Sequence, residues 1–292
     1  MRFTKMHGLG NDFILIDCRQ LNIHNPSELS RRLCHRHFGI GADQMLLLFD
    51  SEVADFKMRI FNADGSEVEM CGNGIRCFVK YIWDRRLSDK KVLEVETLAG
   101  IIRPEKADGM VRVDMGEPIF EHEKIPVRIH PEYLLFSNPP IPTLVKESTR
   151  GFVIDYPLMI DDEEFKITCV SMGNPHVVIF VNDVADFPVQ RYGPVIETHP
   201  IFPRRTNVEF VEVLSSKEIK MRVWERGAGE TMACGTGASA AAVASSMKGL
   251  TGRQVLVHLS GGDLFIDWAS DNHVNMTGPA AEVFNGVIEI ED

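Results

Sequence analysis

The sequence predicts a mixed α/β protein built from two duplicated domains, and three observations carry that prediction. The chain has 292 residues, close to the ~250–300 at which a single hydrophobic core stops growing. Short β-branched runs outnumber helical patterns along it. One cysteine–glycine phrase occurs twice, as Met70-Cys71-Gly72-Asn73-Gly74 and as Ala233-Cys234-Gly235-Thr236-Gly237, at an offset of 163 residues.

The elements follow from local pattern. Phe13–Asp17, Met45–Phe49, Lys57–Asn62, Val92–Thr97 and Val111–Asp114 are apolar or β-branched runs with polar, Gly or Pro flanks, and read as strands. Pro26–Cys34 reads as a helix, with Asn25 as N-cap, Pro26 at its first position and Glu28 three residues after the cap. Gly74–Arg86 places Ile75, Phe78, Val79 and Ile82 at helical spacing. Gly237–Met247 is nearly all Ala, Ser and Val, which predicts a helix buried on every side. Seven of the 15 prolines fall between Pro118 and Pro157, so that stretch is expected to be irregular or edge-like and to hold the domain boundary.

With the offset fixed at 163, Gly10-Asn11 falls on Gly173-Asn174, Gln44 on Asn207, Asn62 on Glu225 and Glu67 on Glu230. A period that long means duplicated domains and not a solenoid. Residues 1–118, completed by the C-terminal 281–292, are assigned to the first half and 119–280 to the second.

Composition narrows the function classes. With 31 Lys+Arg against 42 Asp+Glu, the net charge of −11 argues against nucleic acid as the main partner. Hydrophobic content of 44% and charged content of 25% are those of an ordinary globular chain. Six cysteines are too sparse for a disulfide framework. Met1–His7 lacks the apolar stretch of a signal peptide, and no apolar run nears the ~18 residues of a membrane span. The expected location is the cytoplasm, with reduced thiols and no membrane partner.

A cysteine before Gly-x-Gly at a helix start sits where unsatisfied N–H groups and the helix dipole favour negative charge, which is expected to lower its pKa. The glycines permit close approach of a ligand, and the same N–H groups suit a carboxylate. A lone cysteine there reads best as a small core residue, but two at equivalent repeat positions do not. One thiol from each domain, facing the other across an interdomain cleft, fits stereoinversion at carbon, with a base on one side and an acid on the other. Such a site must stabilise the carbanion by water exclusion and preorganised donors.

Asn11, Gln44, Asn62, Asn174 and Asn207 are amides in apolar or glycine-rich surroundings, suited to a polar pocket. Asn11 and Asn174, each after a glycine, also suit turn capping. Where the copies differ, Phe13 becomes His176 and Asn62-Ala63 becomes Glu225-Arg226. Arg226 fits bidentate carboxylate recognition, and His176 and Glu225 could relay protons or polarise the thiols. The bland alternative for Glu225-Arg226 is a solvated pair at a strand end.

These segments resemble the diaminopimelate epimerase family. The resemblance rests on His7–Phe13, Phe61–Glu67, Met70–Arg76, Gly173–His176, Arg205–Val208, Trp224–Thr231 and Ala233–Gly237, and spans nearly the whole chain. It implies two pseudo-symmetric α/β domains, each with sheets wrapped around a central helix, and a cofactor-independent homodimeric enzyme that interconverts LL- and meso-diaminopimelate. It maps the catalytic thiols to Cys71 and Cys234, assisted by His176 and Glu225. Substrate contacts map to Asn11, Gln44, Asn62, Asn174, Asn207 and Arg226, with the backbone at Gly72-Asn73 and Gly235-Thr236 holding the carboxylate of the reacting centre. Two departures stand out: residues 121–157 are longer and less regular than the family pattern, and Val177 stands where a cysteine is common.

Other readings are weaker. One is a racemase for another amino acid, such as proline or histidine, but proline-racemase-like sequences would carry His in place of Asn73 and lack the Glu225–Gly229 loop. Gly235–Ala240 fits G-x-G-x-x-A, but no acidic residue follows about 20 positions later on a strand end. Cys34-His35-Arg36-His37 lacks the usual spacing of zinc ligands, so no metal is expected. Cys71 and Cys77 as a redox pair is disfavoured because the helical pattern turns Cys77 into the core.

Overall fold

The computed structural model describes residues 1–130 and 151–289. It divides into two compact units, one formed by Met1–Asp114 with the C-terminal segment from Thr277, the other by Met115–Met276. Much of the proline-rich stretch, residues 131–150, lies outside the described residues.

The first unit contains β1 (Arg2–Gly8), β2 (Asn11–Asp17), α1 (Pro26–Cys34), β3 (Gln44–Phe49), β4 (Phe56–Asn62), β5 (Glu67–Val68), α2 (Gly72–Asp84), β6 (Val95–Thr97), β7 (Gly100–Ile102), β8 (Glu105–Ala107) and β9 (Met110–Asp114). The second contains β10 (Tyr156–Ile160), β11 (Glu163–Ser171), β12 (Pro175–Phe180), α3 (Val189–Glu197), β13 (Asn207–Ser215), β14 (Glu218–Glu225), β15 (Gly229–Thr231), α4 (Gly235–Met247), β16 (Gln254–Leu259), β17 (Gly262–Trp268) and β18 (Val274–Gly278). The last strand, β19 (Ala281–Val287), pairs antiparallel with β1 and so belongs to the first unit.

The first sheet runs β19-β1-β2-β3-β4-β6-β7, with β5 against β4. In the second unit the order is β10-β11-β12-β13-β14-β16-β17-β18, with β15 against β14. The duplication is visible in the ladders. β2 pairs parallel with β3 and β3 antiparallel with β4, with Phe13 opposite Gln44 and Gln44 opposite Asn62. β12 likewise pairs parallel with β13 and β13 antiparallel with β14, with His176 opposite Asn207.

Both central helices are buried for reasons written in their residues. α2 turns Ile75, Cys77, Phe78, Val79 and Ile82 into the core. In α4 every residue but Thr236 is buried, and its small side chains let sheet and helix approach closely from several sides. The alternating strands β3 and β13 supply fully buried Met45, Leu47, Val208 and Phe210 to separate clusters in the two units.

Several boundaries differ from the sequence expectation. α2 and α4 each start two residues earlier, immediately after Cys71 and Cys234, because the thiol itself serves as the N-cap. α2 stops at Asp84, and Arg86 then turns into the left-handed region at φ 54°. Val92 forms only an isolated bridge to Glu105, so the strand expected from it begins at Val95. Helix α3 has no sequence-level signal of the usual kind. Pro188 occupies its N-cap without a side-chain bond, and Pro194 lies inside it. It is held by packing instead, since a side chain at Gly193 would meet the Trp224 ring at 2.6 Å. Pro157 falls in β10, at the end of its sheet, where a missing N–H is tolerated.

Candidate active site

In the first unit the turn before β2 is made by Gly10 at φ 88°, which delivers Asn11 to the start of the strand. Gln44 starts β3 and Asn62 ends β4, so parallel and antiparallel pairing bring three amides to one end of three adjacent strands. Gln44 Nε2 donates to Asn62 Oδ1 at 2.8 Å. Gln44 Oε1 is buried and has no hydrogen-bond partner among the described residues, leaving an acceptor for a ligand donor.

Cys71 is the N-cap of α2, and its sulfur accepts from Gly74 N at 3.4 Å. The thiol donates to Asn11 Oδ1 at 3.8 Å, and Asn73 Nδ2 donates to the same oxygen at 3.4 Å. Asn11 is anchored from behind, because its Nδ2 donates to Asp43 Oδ2 at 2.8 Å. Asp43 and Asp12 in turn share Arg36, and Asp12 also binds Lys5. Burial opposes ionisation of Asp12, but Arg36 and Lys5 outweigh it and hold the carboxyl well below the usual carboxylate range. Gly72 and Asn73 occupy the first turn of α2, where helical geometry leaves N–H donors without intrahelical partners.

The second unit repeats the frame with other side chains. Gly173, at φ 91°, turns the chain before Asn174 as Gly10 does before Asn11. Cys234 caps α4, accepting from Gly237 N at 3.4 Å, and Gly235 and Thr236 form the first turn. Asn207 starts β13; its Oδ1 accepts from Arg226 N at 2.9 Å and its Nδ2 donates to Pro175 O at 2.9 Å. Glu225 ends β14 and accepts from Thr231 Oγ1 at 2.5 Å. Arg226 is exposed, with Nη1 donating to Arg204 O at 3.2 Å. The guanidinium is therefore held at the surface of its unit.

His176 is fully buried on β12. Its Nδ1 lies 2.7 Å from Glu209 Oε1 and its Nε2 lies 2.9 Å from Asn174 Oδ1. Glu209 was not among the residues expected in the site. It stands in β13, is fully buried and presses against the opening of α4. A side chain at Gly237 would come within 2.8 Å of its Oε1. The signal for it lay in the repeat: at the offset of 163, Glu209 replaces Leu46, putting a carboxylate where the first copy has a core residue.

The two thiols differ in their surroundings. Cys71 is half-buried, whereas Cys234 is 6% exposed. The helix N-terminus was expected to lower the pKa of both. At Cys234, burial first, and then the carboxylates of Glu225 and Glu209, push the thiol well above its ordinary value, outweighing Thr236 and the cap N–H. Iodoacetamide labelling of Cys234 in the ligand-free protein should therefore be slow at neutral pH and accelerate only above the ordinary thiol range. Peptide mass spectrometry across a pH series checks this, and full labelling at neutral pH would contradict it.

The remaining cysteines are core residues. Burial pushes Cys18 and Cys77 up to about 12 and raises Cys34 and Cys169 as well. Cys34 ends α1 and His35 follows as its C-cap, bonding the loop N–H groups of His37 and Phe38. Among the described residues no group of three or more His, Cys, Asp or Glu could hold a metal ion. No helix of the described residues is long and apolar enough to cross a membrane.

The family model described as diaminopimelate epimerase matches residues 3–121 and 168–283. The chain is 52% identical to the diaminopimelate epimerase of Acetivibrio thermocellus, with 100% of each chain covered. It is 54% identical to the diaminopimelate epimerase of Pelotomaculum thermopropionicum, with 98% of each covered. Among solved structures, a phenazine biosynthesis protein of the PhzF family from Bacillus anthracis shares the fold, with a TM-score of 0.70, 17% identity and 99% of each chain covered.

Proposed function

This chain belongs to the diaminopimelate epimerase family and is an isomerase, and we propose that it interconverts LL- and meso-2,6-diaminopimelate by two-base proton transfer at Cα without a cofactor. The observation that carries this reading is one constellation built twice: a cysteine capping a buried 13-residue helix, with amide side chains at strand ends beside it.

In the proposed step a thiolate removes the Cα proton. The C–H bond breaks, an S–H bond forms, and the electron pair is held on Cα and its carboxylate. The other thiol then gives its proton to the opposite face, forming the new C–H bond and becoming the thiolate. One proton is thus exchanged for another and the centre is inverted. The carboxylate of that centre is held by the first-turn N–H donors at Gly72-Asn73 and Gly235-Thr236, which are fixed before reaction and so stabilise developing charge without reorganising. Asn11, Gln44, Asn62, Asn174, Asn207 and Arg226 bind the rest of the substrate, and Glu225 and His176 assist the thiols. This reading places the enzyme in lysine and peptidoglycan precursor synthesis in the cytoplasm. A homodimer is proposed as well, supported by Val283, Phe284 and Val287, which are exposed on β19 at the end of its sheet.

Turnover of each stereoisomer in deuterated water tests the mechanism. Deuterium is expected at Cα of the inverted product from either direction, with monocarboxylic amino acids turned over far more slowly. Inversion without solvent deuterium, or a preference for monocarboxylic substrates, would overturn it.

A further inference from the structure

The site contains a buried glutamate–histidine pair whose glutamate neither the repeat frame nor the proton transfer proposed above requires. In the first unit, the space behind the helix opening is apolar: a side chain at Gly74 would meet Leu46 Cδ2 at 3.3 Å and Phe13 Cε1 at 3.4 Å. In the second unit the equivalent positions carry Glu209 and His176, both fully buried. Exchanging an apolar pair for a buried polar pair that shares a proton costs desolvation, which calls for a specific role.

The bonds from this pair run in sequence to a sulfur. Glu209 Oε1 to His176 Nδ1 is 2.7 Å, and His176 Nε2 to Asn174 Oδ1 is 2.9 Å. Asn174 Nδ2 donates to Thr236 Oγ1 at 3.4 Å, and Thr236 Oγ1 lies 3.4 Å from Cys234 Sγ. An amide oxygen only accepts, so His176 must carry a proton on Nε2. One further proton lies between Nδ1 and Glu209, whether as imidazolium and carboxylate or as imidazole and carboxylic acid. With Asn174 donating to Thr236, the hydroxyl hydrogen of Thr236 is available to point at the sulfur. From His176 Nε2 to the sulfur the bonds then run in one sense.

We propose that Glu209 is a positioning residue which, through His176 and Asn174, orients the Thr236 hydroxyl as a donor to Cys234 and so favours the thiolate of that cysteine. The proposal rests on reading Cys234 as a proton-transfer group. The titratable groups whose charges act on Cys234 are Glu225 and Glu209, and both oppose its ionisation together with burial. An aligned donor offsets part of that opposition. At Cys71 the side-chain partner has the other sense: Asn11, anchored by Asp43, presents an oxygen that accepts from the thiol. The two halves therefore hold their sulfurs by different devices.

With leucine at 209, as at position 46 of the first half, the histidine is free to place its proton on Nδ1. Asn174 can then turn over, and Thr236 becomes a donor to Asn174 instead of to sulfur. The test uses the full-length protein without substrate and measures the rate of iodoacetamide labelling at Cys234 by peptide mass spectrometry at a fixed, mildly alkaline pH. Thr236→Val is expected to slow labelling about tenfold, the equivalent of one pH unit, and to have no such effect in the Glu209→Leu chain, where Thr236 no longer points at the sulfur. Thr236→Ser, which keeps the hydroxyl, is expected to label like the unsubstituted chain, and the double variant to be no slower than either single one. Thr236 is half-exposed, so its variants keep the test open even where Glu209→Leu folds poorly. Unchanged labelling in Thr236→Val, or the same loss from Thr236→Val in the Glu209→Leu chain, would overturn the proposal. Labelling does not depend on turnover, so that failure is distinct from failure of the epimerase reading, which the deuterium experiment addresses.

Discussion

Replacing Cys71 or Cys234 by alanine is expected to lower epimerisation by about 10²–10⁴-fold, the usual contribution of a positioned acid or base. Each variant keeps one thiol, so each should still exchange the Cα hydrogen of one stereoisomer with solvent without inverting it. The two variants should differ in which stereoisomer exchanges. Folding should survive, since the thiol supplies one N-cap bond to Gly74 or Gly237, and loss of a cap costs about 1 kcal/mol. Deuterium uptake followed by NMR, with circular dichroism as the control for folding, separates loss of chemistry from loss of structure. Normal turnover in either variant would refute the two-base assignment.

The second large effect is expected on stability, at Arg76. This guanidinium is fully buried beneath the opening of α2. It donates from Nη1 to Gly72 O at 3.1 Å, from Nη2 to Asn73 Oδ1 at 2.8 Å and from Nε to Pro279 O at 3.1 Å. Burial pushes its pKa down, which marks the cost of holding a cation there. Arg76→Met removes three charged donor bonds at a buried site, so the loss should be about 3 kcal/mol, or a melting temperature roughly 5–10 °C lower. The equivalent residue of the second half, Ser239, makes one comparable bond, from its hydroxyl to Gly235 O at 2.9 Å. Ser239→Ala should cost only about 1 kcal/mol. Calorimetry of the two variants checks the ranking, and equal losses would contradict it. Asn73 bonds Arg76 as well as Asn11, so Arg76→Met should also weaken substrate binding.

The repeated Cys-Gly-x-Gly phrase, the amides at fixed offset and the two helices it opens were legible in the sequence because spacing along the chain becomes register in a sheet. Gln44 and Asn207 start equivalent strands, and Asn62 and Glu225 end the antiparallel strands beside them. Helix α3 was not legible, since its propensity signals are poor and packing of Gly193 against Trp224 holds it. Glu209 is not legible for a related reason. In sequence it is one acidic residue in an apolar strand, where alternation would assign it to the solvent face. Only the fold places it behind α4 and beside His176, fully out of water.

What the sequence determined by itself was the duplication, and with it the two cysteines that cap equivalent helices. Those follow from period and from local backbone rules, which act over a few residues and survive any tertiary context. What only the tertiary structure decided was the electrostatic character of each cap. The helix N-terminus alone favours a thiolate, but burial and the carboxylates of Glu225 and Glu209 raise the pKa of Cys234. Charge and desolvation act through space between residues far apart in the chain, so no local rule could assign them.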